Sequence, residues 1–138
     1  MIISNAAKLI RGKTRPVVKP DTSIDDACKV MAETDARALL VLEADKLAGV
    51  LSERDVIRKC IANNLDTTDT HVSDIMTTEV KTIEADDSVA MAIEIMQEGH
   101  FHHVPVIDGD SVVGLISSDD IPDEYRMLLE RFKEMRGG

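Results

Sequence analysis

Slid along itself by 65 positions without gaps, the chain matches itself. Residues 18–56 fall over residues 83–121, and 10 of the 39 pairs are identical: Asp21/Asp86, Ser23/Ser88, Ala27/Ala92, Met31/Met96, Glu33/Glu98, Val41/Val106, Asp45/Asp110, Gly49/Gly114, Ser52/Ser117 and Asp55/Asp120. Ordinary composition would give about 2 or 3 by chance. Nine further pairs exchange one aliphatic residue for another, among them Val50/Leu115 and Leu51/Ile116. The chain is therefore two copies of one unit. A unit this small is marginal alone, so the copies are expected to bury a shared face. The full 138 residues amount to one ordinary domain or two small modules packed together.

The unit reads in order. Pro16-Val17-Val18 and Val80-Lys81-Thr82-Ile83 are short extended segments, and Pro16 suits a strand start because it has no N–H for a ladder. Ser23 and Ser88 stand where a helix N-cap belongs. Ile24, Ala27, Val30 and Met31 follow at helical spacing, matched by Val89, Ala92, Ile95 and Met96, and Gly99 reads as the end of the second of these helices. Two apolar runs come next, 38–43 and 47–51 in the first copy and 103–107 and 112–116 in the second. Ala44-Asp45-Lys46 and Asp108-Gly109-Asp110 split them, the latter a strong hairpin signal. The runs are continuous rather than alternating, which predicts sheets covered on both faces. Ser52-Glu53-Arg54-Asp55 then has capping spacing for a second helix, with Val56, Ile57 and Ile61 as its apolar face. Residues 63–71 are polar and read as a linker. This gives an α/β (α+β) chain with units at 1–65 and 66–121. Residues 122–138 form a C-terminal amphipathic helix, with Tyr125, Leu128, Leu129 and Phe132 on one face. That face either packs on its own core or meets a helix of another chain.

Composition narrows the function. There is no Trp, one Tyr and two Phe, so the core is aliphatic and the stacking platforms that grip single-stranded nucleic acid are missing. A net charge of −10 repels phosphate backbones, so nucleic acid is not an expected partner. No apolar run approaches the roughly 20 residues that span a bilayer, and Met1-Ile2-Ile3-Ser4 does not open a secretory signal. Cys28 and Cys60 form no Cys-x-x-Cys and read as reduced thiols of a cytoplasmic protein.

Gly-x-x-Ser-x-x-Asp occurs at Gly49–Asp55 and again at Gly114–Asp120. Each time an apolar strand ends at the Ser and a helix is expected to begin. Free backbone N–H groups there would favour an anion. The Ser hydroxyl can bond a phosphate. The Asp one turn on can accept two hydrogen bonds from a vicinal diol, as acids do for ribose in dinucleotide folds. The plainer account is that Ser52 with Asp55, and Ser117 with Asp120, only form capping boxes.

These residues carry a resemblance. His103-Val104-Pro105-Val106-Ile107-Asp108, Val113-Gly114-Leu115-Ile116-Ser117 through Asp120-Ile121, Gly49 through Val56, and the lead-in Val72-Ser73-Asp74-Ile75-Met76-Thr77 look like a tandem pair of CBS domains. This is the regulatory Bateman module named after cystathionine β-synthase. The resemblance covers about residues 7–121 and implies two βαββα units packed by a pseudo-two-fold axis. It implies clefts between them for adenosyl ligands: AMP, ADP, ATP, S-adenosylmethionine or NAD. It further implies that Asp55 and Asp120 hold ribose, and that Ser52, Ser117 and Arg54 meet phosphates. The base would lie against Ile83, His103 and Pro105 in one cleft and against Val18 in the other.

The copies differ at charged positions. Arg54 faces Asp119 across the repeat, and Arg37 faces His102. Copy one carries the cations Lys13, Arg15, Arg37 and Arg54, and copy two the Pro-Val strand. The expectation is one good site built from Ile83, His103, Ser117 and Asp120, with Arg54 reaching across, and a weaker one at Asp55. By local charge AMP or ADP ranks first, then S-adenosylmethionine, dinucleotides and ATP. His100 and His102 share a strand face, but two ligands fall short of a metal site. No nucleophile has a paired base, so no enzyme is expected. The reading is a homodimeric nucleotide sensor that passes a change of angle between its units to an effector protein. Its rival is a CBS scaffold with empty clefts.

Overall fold

A computed structural model describes residues 5–137, without the side chains of Leu129, Phe132, Lys133 and Arg136. The expectation about a signal at Met1–Ser4 lies outside the described residues. The first unit holds β1 (Val17–Val18), α2 (Ile24–Thr34), β2 (Ala38–Glu43) and β3 (Lys46–Ser52), preceded by the short helix α1 (Ala6–Leu9). The second holds β4 (Ile83–Glu84), α5 (Val89–Gly99), β5 (His103–Asp108) and β6 (Ser111–Ser117), preceded by α4 (Val72–Ile75). Each makes a three-stranded sheet in chain order, first pair parallel and second antiparallel. The strand pairs even share a bulge, between Val41 and Leu42 and, 65 residues on, between Val106 and Ile107.

Local chemistry explains the elements. Ser23 caps α2 by accepting from Asp26 N (3.1 Å), and Ser88 caps α5 by accepting from Met91 N (3.1 Å). The two helices end on left-handed residues, Asp35 (φ 54°) and His100 (φ 56°). Gly99 is thus the last helical residue and not the left-handed cap. It is small because the Phe101 ring lies where a β-carbon would go. The first hairpin turns through Ala44 (φ 50°) and Asp45 (φ 64°), the second through Gly109 (φ 64°).

The apolar runs are continuous because each sheet is covered twice. Leu39, Val41 and Leu51 face one core with α2, while Ala38, Leu40, Leu42 and Val50 face a shared core with Val112 and Leu115 of the other sheet. That shared core is the face the copies were expected to bury.

The lead-in segments exchange partners. Ala6 and Leu9 of α1 lie in the second unit's core, fixed by Ala6 N to Asp87 O (2.8 Å) and Ala7 N to Ala85 O (3.0 Å). Val72 and Ile75 of α4 lie in the first unit's core, fixed by Val72 N to Thr22 O (2.8 Å) and Ser73 N to Pro20 O (2.9 Å). The polar stretch 63–71 is likewise no loose tether. Thr70 O and Thr67 O accept from Ile24 N and Asp25 N (both 2.9 Å), which satisfies the start of α2.

The segments after the motifs diverge. In the first unit α3 (Glu53–Asp55) runs into a π-helical stretch, Val56–Ile61, with Ala62 N bonded to Ile57 O (2.9 Å). This wider winding turns Val56 and Cys60 inward and leaves Ile57 and Ile61 at 61% and 52% exposure, so the expected face of Val56, Ile57 and Ile61 is broken up. In the second unit a 3₁₀ turn, Ser118–Asp120, stops before Pro122, and α6 (Asp123–Gly137) follows. Tyr125 packs on the second core, whereas Leu128 is 60% exposed. The expectations for Leu129 and Phe132 lie outside the described side chains.

Candidate functional site

Gly49 and Gly114 open the motifs because chain crosses there. A β-carbon on Gly49 would stand 2.6 Å from the carbonyl oxygen of Thr77, and one on Gly114 would meet Ile10 at 2.5 Å. Val50 and Thr77 form an isolated bridge, with N–H···O bonds of 3.0 and 2.9 Å. The exchanged lead-in therefore lays the approach to β4 directly beside the first motif.

Two clefts result. The first, of about 720 Å³, combines Ser52–Asp55 with Thr77 and Glu79–Lys81 on the approach to β4 and Gly99–His103 before β5. The second, of about 440 Å³, combines Ser117 and Asp119–Asp120 with Lys13, Thr14, Pro16 and the turn Thr34–Ala38. Arg37, His103, Ser117 and Asp119 line both and form the wall between them.

The motif carboxylates cap the turns behind them. Asp55 Oδ2 accepts from Ser52 N (3.0 Å) and Ser52 Oγ (3.1 Å), while Asp55 N donates to Ser52 Oγ (3.1 Å). Thr77 Oγ1 donates to both carboxylate oxygens (3.2 and 3.3 Å), and Lys59 Nζ reaches Oδ1 at 3.0 Å. Lys59 also donates to Ile75 O (3.1 Å) and lines neither cleft, so it approaches from outside. In the second unit Asp120 Oδ2 accepts from Ser117 N (2.7 Å) and from Lys13 Nζ (2.5 Å). The capping account is thus realised in both units, on carboxylates that also line the clefts.

The first amides after each strand are spent inside the protein. Glu53 N donates to Arg37 O (2.9 Å) and Ser118 N to His102 O (2.8 Å). The amides expected to await an anion are therefore largely consumed, and anion contacts fall to side chains. Arg54 and Lys81 line the first cleft with no ion pair or hydrogen-bond partner among the described residues. Arg37 pairs loosely with Asp119 at 3.5 Å, both about 70% exposed (68% and 72%). Burial, helped by neighbouring His102 and Lys13 and opposed by Asp119 and Asp120, pushes the His103 imidazole down to about 4. It is neutral near pH 7 and adds no positive charge.

The residues singled out by sequence are grouped differently here. Ile83 (2% exposed), Val18 (6%) and Pro105 (under 2%) are core residues and line neither cleft. Arg54 stands with Ser52 and Asp55, while Asp120 stands across the wall with Lys13, so Ile83, His103, Ser117, Asp120 and Arg54 do not converge. The exchange of lead-ins is the reason, since each carboxylate faces the approach strand of the other unit. Thr77, Glu79, Lys81 and Phe101 were missed. A glycine inside a strand marks a close backbone approach, and Gly49 carried that signal. Among the described residues, no group of three or more His, Cys, Asp or Glu is placed to hold a metal ion. Cys28 and Cys60 are free thiols, and burial raises that of Cys28.

Comparison with known proteins agrees with this architecture. The family model for the CBS domain matches residues 6–62 and again 72–125. A mitochondrial CBS domain-containing protein of Arabidopsis thaliana is 34% identical over 128 residues, covering 86% of this chain and 62% of that protein. The chain thus spans a little under two thirds of that relative's length. The solved structure of a Burkholderia ambifaria protein with CBS domains superimposes with a TM-score of 0.79 at 35% identity, covering 84% of this chain and 89% of that one. A Pyrobaculum aerophilum CBS protein complexed with AMP does so at 0.79 and 24% identity, covering 91% and 96%. The lead-in exchange, the shared sheet-to-sheet core and the twice-matching family model lead to one assignment: the chain belongs to the CBS domain family, as a tandem pair.

Proposed function

We propose that this chain is a regulatory module that binds an adenosine nucleotide in the first cleft. The carrying observation is the composition of that cleft: a diol-accepting carboxylate, Asp55, shares about 720 Å³ with two uncommitted cations, Arg54 and Lys81. The volume suits a nucleotide-sized ligand. A ribose diol takes over the bonds Thr77 now makes to Asp55. The phosphate draws Arg54, Lys81 and, from its weak pair with Asp119, Arg37. AMP or ADP fits this modest cation supply better than ATP, and the phosphate contacts favour them over S-adenosylmethionine, which carries no phosphate. The AMP complex of the Pyrobaculum protein adds that this fold can house such a ligand.

Asp55 and Arg54 belong to the first unit and Lys81 to the second, so a bound nucleotide changes how the units sit together. An effector protein reads that change, with a coupling of about 1–3 kcal/mol. The chain itself performs no catalysis in this reading. Its free thiols suit a reducing compartment, with the cytoplasm proposed, and no helix of the described residues is long and apolar enough to cross a membrane. Ile57, Ile61, Met127 and Leu128, all more than half exposed, offer helical surfaces for a homodimer.

A thermal-shift panel of AMP, ADP, ATP, S-adenosylmethionine and NAD tests the reading. A ligand at 100 times its Kd should stabilise the protein by about 2.7 kcal/mol, and Asp55→Asn should cut the shift to about a third. No shift with any of the five, or a shift that Asp55→Asn leaves intact, overturns the reading in favour of a CBS scaffold.

A further inference from the structure

We propose that Lys13 is a built-in occupant of the second cleft, closing it so that the chain binds one nucleotide rather than two. The proposal rests on the nucleotide reading above and fixes its stoichiometry. The second cleft shares three scaffold features with the first: a glycine where the lead-in crosses, a capping Ser, and an Asp on the cleft wall. What differs is the tenant. Lys13 lines the cleft and holds Asp120 Oδ2 at 2.5 Å while donating to Leu115 O at 3.3 Å. That carboxylate is what a ribose diol would need. A neutral diol offers it less than an ammonium does, so the sugar loses the exchange.

The repeat supplies the control. The position 65 residues after Lys13 is Thr78, which brings no charge. The lysine on Asp55, Lys59, lines neither cleft, so on the cleft side that carboxylate is held by the neutral Thr77 hydroxyl and by no cation. The contact is also releasable, since the Lys13 and Asp120 side chains are 38% and 20% exposed. With Lys13 gone, Asp35, Asp119 and Asp120 leave Arg37 as the cation on the second cleft's wall, and Arg37 already pairs with Asp119. The opened cleft therefore takes an uncharged adenosyl compound in preference to a phosphorylated one.

Calorimetric titration with adenosine and AMP tests this in a background where the first cleft is weakened. Asp55→Asn alone should bind both ligands about thirtyfold more weakly than wild type. Asp55→Asn with Lys13→Thr should bind one adenosine per chain at least about tenfold more tightly than Asp55→Asn, and adding Asp120→Asn should remove it. Lys13→Met in the same background repeats the test, and thermal melts show that each variant is folded. Equal adenosine affinity with and without Lys13 overturns the latch, as does wild-type protein binding two nucleotides of like affinity. Failure of the nucleotide reading looks different: wild type and Asp55→Asn then give the same AMP titration, whatever Lys13 does.

Discussion

In the first cleft the motif carboxylate is gripped from outside by Lys59, and Arg54 and Lys81 have no partner among the described residues. In the second it is gripped from within by Lys13, and Arg37 is spent on Asp119. The two clefts share their Gly, Ser and Asp, which give each a crossing point, a cap and a carboxylate on the cleft wall. They differ at the charges set on that frame, where Arg54 answers Asp119, Lys59 answers Glu124, and Lys81 answers Pro16. Duplication has kept what the fold needs and released what a ligand would feel. Function is therefore to be sought where the copies disagree.

The glycines offer the largest expected effect. A β-carbon on Gly49 collides with backbone, the Thr77 carbonyl, whereas one on Gly114 collides with the end of the Ile10 side chain, which can turn aside. Gly49→Ala should cost about 3 kcal/mol and Gly114→Ala about 1 kcal/mol or less, by chemical denaturation. Equal costs would mean that the two crossings are equally rigid, and the Val50–Thr77 bridge would lose its significance as the feature that sets the first cleft apart.

Binding should split the carboxylates next. Asp55→Asn removes the diol acceptor and should weaken AMP by about 2 kcal/mol, roughly thirtyfold. Asp120→Asn in the wild-type chain should leave AMP affinity within about twofold, because Lys13 already occupies that seat. The reverse ranking by calorimetry would restore Asp120 as the principal site.

That reverse ranking was the expectation from sequence, and the regrouping of the clefts that argues against it has a physical source. Strand order, Ser caps, hairpins and double burial were legible because each leaves a local trace: Ser23 before a helical period, Asp108-Gly109 between apolar runs, β2 apolar at every position from Ala38 to Leu42. The exchange of lead-ins leaves none. A segment packed on its own unit and one packed on the other give the same 65-residue repeat, so nothing in the periodicity says that Ala6 and Leu9 belong to the second core. Once the exchange is known, the clefts regroup, with Arg54 beside Asp55 and Lys13 on Asp120. The winding of Val56–Ile61 was equally hidden, since Ile57 and Ile61 fit an ordinary helical stripe until π-type bonding turned them outward.

The wall between the clefts gives a smaller, pH-dependent effect. His103 titrates near 4 in the folded chain against 6.5 as an ordinary imidazole, so the unfolded chain binds its proton first. The stabilisation is complete above about pH 6.5 and is lost as pH falls from there toward 4. By pH 5 this amounts to about 1–2 kcal/mol after allowance for partial exposure. His103→Asn should flatten that part of the stability profile. If wild type and variant lose stability in parallel between pH 6.5 and 5, the imidazole is not held neutral on the wall.

The free cations give the smallest effect and the finest discrimination. Arg54 and Lys81 are exposed, so each contact to a phosphate is screened and worth about 0.5–1 kcal/mol at ordinary salt. Arg54→Ala and Lys81→Ala should each weaken AMP two- to fivefold and should leave adenosine unchanged, because the nucleoside presents no charge to them. The loss should shrink further as salt is raised toward 1 M, where the Debye length falls to about 3 Å. Arg37→Ala is the informative third variant. Arg37 stands on the wall of both clefts, but a phosphate must take it from Asp119. Its removal should therefore cost less than that of Arg54. Replacing Asp119 by Asn should do the opposite, releasing Arg37 and tightening AMP slightly. A loss of adenosine binding in Arg54→Ala or Lys81→Ala would show these residues to be acting on the shape of the cleft rather than on a phosphate. The asymmetry of charge between the clefts would then explain nothing about which of them binds.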